Sequence, residues 1–99
     1  MAKFPIEVTE EAKGDLSYFT AFERQVIVSE IRKQLTHEPQ VETRNRKRLR
    51  DNPIASWELR VGKYLDCYEV GEAAETVCVV SVGHKEHNVL RIRGTEVRL

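Results

Sequence analysis

Apolar and polar positions follow two periods along this chain, and the change from one to the other divides it. Phe4-Pro5-Ile6-Glu7-Val8 alternates at period two, as a short strand does, and Pro5 suits a strand start or a sheet edge. From Thr9 the period lengthens. Thr9 is a good N-cap, and Glu10 and Glu11 fall in the first turn, where the helix dipole favours anions. Ala12, Leu16 and Phe19 then recur at helical spacing, although Gly14 weakens that helix by up to about 1 kcal/mol. A second helix is predicted over about 22–36. Ile27, Ile31 and Leu35 line one of its faces, Glu23, Glu30, Arg32 and Lys33 can face water, and Pro39 stops it. Two helices with so short a connection predict an antiparallel helical hairpin.

Residues 37–55 are polar and irregular. Beyond them period two returns, predicting strands over about 56–61, 64–70 and 76–83, with turns at Gly62-Lys63 and Gly71-Glu72-Ala73-Ala74 and a last short strand over 89–93. The expected fold class is α+β: an N-terminal strand, an α-helical hairpin, then a small antiparallel sheet covered by the helices on one face. Pairing Val61 with Tyr64 sets Arg60 opposite Leu65 and Glu58 opposite Cys67. Pairing Val70 with Glu75 sets Cys67 opposite Cys78 and Leu65 opposite Val80. With side chains alternating, one face carries Trp57, Leu59, Val61, Tyr64, Tyr68, Val70, Val77 and Val79, which is a core face. The other carries Glu58, Arg60, Leu65, Cys67, Cys78, Val80, Val82 and His84, a mixed open face suited to a ligand or a partner chain. Asp66 falls on the core face, where an unpaired carboxylate is costly. It needs either a cation at the sheet margin or a bulge near Leu65.

Composition changes this picture little. Ninety-nine residues with 40% apolar and 7% aromatic content make one domain, 1–99, able to bury roughly 65% of its unfolded surface. Lys+Arg and Asp+Glu are both 16, so net charge favours no partner. Distribution does: Arg44-Asn45-Arg46-Lys47-Arg48-Leu49-Arg50 has five basic residues and no acid, an electrostatic footprint for phosphate or else a solvated loop. No stretch approaches the ~20 apolar residues of a membrane span, and the N-terminus lacks a signal-peptide apolar region, so a cytoplasmic protein with no membrane partner is expected. Cys67 and Cys78 are expected to stay reduced and to pack.

The chemistry these residues suit is RNA cleavage. A 2′-hydroxyl can attack its own phosphate without a metal, provided that a protein positions it, neutralises phosphate charge and protonates the leaving oxygen. Arg60 lies on the open face, with Arg48, Arg50, Lys85 and Arg91 able to ring it and His84 leaving the last long strand on the same face. Glu58 is either a base or an ion-pair partner, Trp57 is read as a core aromatic, and His37 and His87 as solvated. No metal site, Gly-rich phosphate loop or small-molecule cofactor is expected.

The opening strand, the hairpin with Leu16-Ser17-Tyr18-Phe19, the Arg44–Arg50 run, Trp57-Glu58-Leu59-Arg60-Val61-Gly62-Lys63-Tyr64 and Val82-Gly83-His84-Lys85 together resemble the RelE/ParE superfamily of type II toxins. The resemblance covers nearly the whole chain. It implies a small antiparallel sheet with a helical hairpin on one face. It also implies either mRNA cleavage in the ribosomal A site, as RelE-like members perform, or gyrase poisoning, as ParE-like members do, with a cognate antitoxin silencing the protein. By residue, it implies Arg60, His84, Lys85 and Arg91 as catalytic, with His84 the general acid. Arg44, Arg46, Lys47, Arg48, Arg50 and Lys63 would bind RNA, with ribosome and mRNA as partners, and Leu65, Cys67, Val80 and Val82 would form an antitoxin-binding strip. The family's most characteristic arginine follows the hairpin tyrosine. Here Leu65 stands there, followed by Asp66 in place of an aliphatic residue. Leucine cannot neutralise phosphate, so the expectation is an attenuated endonuclease or, alternatively, a ParE-like gyrase inhibitor or a non-catalytic antitoxin-binding module.

Overall fold

The computed structural model describes residues 3–50, 52–71 and 75–97. Strand β1 (Ile6–Val8) leads into helices α1 (Glu10–Ser17) and α2 (Ala21–Leu35); then follow β2 (Arg46–Arg48), β3 (Trp57–Val61), β4 (Tyr64–Gly71), β5 (Thr76–Glu86), β6 (Val89–Ile92) and β7 (Thr95–Val97). The sheet runs β2-β3-β4-β5-β6-β7, all antiparallel, with β1 lying parallel against the first part of β5. This is the expected α+β arrangement, with β2 and β7 added to the predicted strands.

Local chemistry explains the helices. The Thr9 hydroxyl accepts from the Ala12 amide, and Thr20 with Glu23 forms a reciprocal capping box at the start of α2. Ala12, Leu16, Phe19, Ile27, Ile31 and Leu35 are buried against Trp57, Leu59, Tyr68, Val77, Val79 and Val82 on one face of the sheet. Trp57 is a core aromatic, as read from the sequence, and stacks on Tyr68 at a 6.1 Å centroid separation. Gly14 has a steric reason: a Cβ there would sit 2.2 Å from the Arg93 guanidinium. That guanidinium crosses α1, donating to Asp15 Oδ1 at 2.7 Å and to the Glu11 carbonyl at 2.9 Å.

The β3–β4 register is the predicted one, Val61 opposite Tyr64 through Trp57 opposite Tyr68. The β4–β5 register is not. Val70 faces Val77 and Glu69 faces Cys78, an irregularity falls between Cys67 and Tyr68, and beyond it Cys67 faces Ser81 and Leu65 faces Gly83. Val80 is the extra residue, because Tyr68 pairs with Val79 and Cys67 with Ser81. A one-residue bulge reverses facing beyond it. Val82 therefore lies in the helix-side core at 0% exposure, and His84 turns to Tyr18 and Phe19. Neither is on the open face.

The apolar strip expected on that open face is largely covered as well. Leu65 and Cys67 are each 1% exposed, packed with Ala55 and Leu90 and flanked by Ile54, Val80 and Val97. The Leu49 amide donates to the Ser56 carbonyl, and the Ser56 amide and hydroxyl donate to the Glu69 carboxylate, which folds Ile54 and Ala55 over the strip. Asp66 is buried on the helix side and finds neither cation nor hydrogen bond among the described residues. The bulge lies between Cys67 and Tyr68 rather than near Leu65, and it leaves the facing of Asp66 unchanged.

Candidate nucleic-acid interface

The face away from the helices holds a cavity of about 660 Å³ lined by Arg44, Asn45, Lys47, Glu58, Arg60, Gly62 and Lys85. Four cations meet one carboxylate there, a strong local positive field in a chain of zero formal charge. Several local bonds build it. The Thr43 hydroxyl accepts from the Asn45 and Arg46 amides and turns the chain into β2. Lys47 then stands opposite Glu58, and Glu58 opposite Cys67. The Arg60 amide donates to the Asn45 carbonyl at 2.8 Å, and the Lys85 amide to the Lys63 carbonyl at 2.7 Å, so the β3–β4 turn brings the end of β5 alongside Arg60. Gly62 takes φ +57° in that turn, a left-handed conformation that a side chain would strain. Its carbonyl lies 3.5 Å from Arg60 Nε.

The turn is anchored from the helix side. The Tyr64 hydroxyl donates to Glu23 Oε2 at 2.7 Å, and Lys63 Nζ lies 3.9 Å from the same oxygen. Burial first, then Glu23, pushes the Tyr64 phenol up to about 12; the Tyr64 bond foremost holds the Glu23 carboxyl below its usual range.

The structure therefore divides the four residues expected to be catalytic. Arg60 and Lys85 share the cavity. His84 and Arg91 are cross-strand partners on the opposite face. His84 stacks on Tyr18 at 6.4 Å, its Nε2 lies 3.6 Å from Glu86, and its buried Nδ1 has no partner among the described residues. Arg91 donates to the Gly94 carbonyl at 3.3 Å. Of the residues expected to bind RNA, Arg44 and Lys47 line the cavity. Arg48 and Arg50 border a separate hollow of about 790 Å³ formed with Asn52, Pro53, Ala55 and Ser56, and Lys63 points to Glu23. Arg46 is no surface group: 8% exposed, it donates to the Val41, Gln34 and His37 carbonyls and ties the loop after α2 to the sheet. Asn45 and Gly62 carried no sequence signal for this site. Glu58 did, as a carboxylate on the same face as Arg60.

Comparison with protein-family models finds no match, and neither does comparison with curated proteins. Solved structures do match. A chain of the toxin–antitoxin complex RelBE2 from Mycobacterium tuberculosis superposes with a TM-score of 0.75 at 25% identity, over 86% of this chain and 94% of that one. A chain of the archaeal RelE–RelB complex from Pyrococcus horikoshii OT3 gives 0.67 at 14% identity, over 86% and 98%. The isolated E. coli RelE toxin gives 0.66 at 23%, over 87% of each. A sheet backed by a helical hairpin and cationic on its other face defines the class, a small α+β protein with a cationic cavity on its open face. Within that class the chain has the fold of RelE toxins, as the Trp57–Tyr64 and Val82–Lys85 segments implied.

Proposed function

We propose that this protein is the toxin of a type II toxin–antitoxin pair and acts as a ribosome-dependent mRNA endoribonuclease in the cytoplasm. The observation that carries this reading is the convergence of Arg44, Lys47, Arg60 and Lys85 on one cavity. Guanidinium and ammonium groups fixed by a sheet can bind a scissile phosphate and stabilise the charge that grows on it as the 2′-hydroxyl attacks. The partner would be a cognate antitoxin, as in the RelBE2 toxin–antitoxin complex. Its docking cannot rely on a groove of Leu65, Cys67 and Val82, because these are buried. Primer extension on mRNA in a translation reaction tests the reading. Arg60→Ala and Lys85→Ala should each slow cleavage by about a hundred- to a thousandfold, and wild-type protein that leaves mRNA intact would refute it.

One observation favours a second reading, the ParE-like or purely antitoxin-binding module. Where the RelE/ParE resemblance leads one to expect a phosphate-binding arginine, Leu65 is committed to packing. A gyrase supercoiling assay run beside primer extension separates the two: inhibited supercoiling with uncut mRNA would select the second.

A further inference from the structure

Glu58 is the one carboxylate lining the cationic cavity, and although Lys47 stands opposite it across the strands, no bond between the two holds it in place. Across β2, β3 and β4 it stands in the row Lys47, Glu58, Cys67, with Arg60 two residues along the same face. Cations surround it, yet among the described residues it makes neither a hydrogen bond nor an ion pair. On one side it borders the thiol of Cys67, which is 1% exposed and packed among Leu65, Ala55 and Leu90, so the carboxylate is left to face the cavity. Glu58 also acts on that thiol: burial first, then the Glu58 charge, pushes Cys67 up to about 12. A cavity meant only to hold phosphate gains nothing from a negative wall, since like charge repels the ligand. Cleavage through a 2′-hydroxyl, however, requires a proton acceptor beside the phosphate-binding groups.

Resting on the nuclease reading, we infer that Glu58 is the general base of an RNA-cleaving site whose phosphate-binding groups are Arg44, Lys47, Arg60 and Lys85. The 2′-hydroxyl proton passes to a Glu58 carboxylate oxygen as the 2′-oxygen bonds to phosphorus. The bond from phosphorus to the 5′-oxygen breaks, and that oxygen takes a proton from the Lys85 ammonium. The products are a 2′,3′-cyclic phosphate and a 5′-hydroxyl. No electrons are exchanged, and solvent carries the proton from Glu58 back to Lys85. His84, on the other face of the sheet, has no part in this step.

The test uses programmed ribosomes carrying mRNA, with single-turnover cleavage by the wild type, Glu58→Gln and Glu58→Asp. Binding is measured to the same message with a 2′-deoxyribose at the scissile position. Glu58→Gln should slow cleavage about a hundredfold or more and abolish the limb of the pH–rate profile that rises with pH. Glu58→Asp should recover part of the rate. Binding to the deoxy message should be unchanged or tighter, because a negative wall has been neutralised. Glu58→Gln cleaving within about threefold of wild type, or losing binding together with cleavage, overturns the assignment and leaves the nuclease reading standing. A wild type that binds ribosomes without cutting overturns both.

Discussion

Asp66 shows what one residue does to the whole folding equilibrium. Both carboxyl oxygens are buried without a partner among the described residues, and burial raises its pKa well above the ordinary 3.8. The native state therefore holds a proton that the unfolded chain releases. Stability is intact below about pH 4. It falls by as much as about 1.4 kcal/mol per pH unit above that, until the native carboxyl itself ionises. Asp66→Val should remove this slope and raise the melting temperature at neutral pH, as thermal denaturation at a series of pH values will reveal. A parallel pH dependence in the two proteins would mean that Asp66 finds a partner in solution. Arg46 is the opposite case, a charge satisfied by three carbonyls. Arg46→Ala should cost roughly 1–3 kcal/mol in urea denaturation through the acceptors it strands. That Asp66 faced the core was legible in the sequence, because a two-residue turn fixed its register. That Arg46 differed from its basic neighbours was not, because its acceptors are backbone carbonyls of the end of α2 and of the loop after it, whose path no side-chain pattern records.

Among the elements, the bulge at Val80 decided what could be read. The β3–β4 hairpin was legible in full, since Gly62-Lys63 admits one pairing and Trp57, Leu59 and Val61 alternate cleanly with Glu58 and Arg60. Strand β5 reads Val77, Val79, Val80 and Val82, apolar in both phases around the bulge, so neither its presence nor the reversal beyond it left a mark. That reversal is why the expected site broke into two faces, Lys85 remaining with Arg60 while His84 and Arg91 went elsewhere. Strand β2 was hidden differently: its charges are those of an edge strand and looked like a solvated loop. The reversed facing predicts that Val82→Asp, which places a charge in the helix-side core, destabilises by roughly 3 kcal/mol or more. Ser81→Asp, one residue away and partly exposed, should cost far less. Comparable losses for the two in chemical denaturation would contradict the bulged register.

For the whole molecule, balanced charge conceals polarity. Acids and bases are equal in number, yet the cavity away from the helices gathers Arg44, Lys47, Arg60 and Lys85 against Glu58 alone. Binding to single-stranded RNA should weaken steeply with salt. The triple change of Arg44, Lys47 and Arg60 to Ala, which spares Arg46, should flatten the log–log slope by about 2, at about 0.7 for each phosphate no longer neutralised. An unchanged slope would show that these cations bear no phosphate.

The clasp between Arg93 and Asp15 has a consequence in time. Its two halves are separated by 78 positions, and the Asp15 carboxylate, 5% exposed once folded, has no other cation within reach among the described residues. During synthesis α1 leaves the ribosome long before Arg93 does. Until then α1 can bury its carboxylate only against the Val82 amide, without a countercharge, so stable docking of α1 onto the sheet is expected to follow closure of the β6–β7 turn. A protein with the fold of a toxin would thus assemble late, after its cationic strands have emerged and while the ribosome that made it is still at hand.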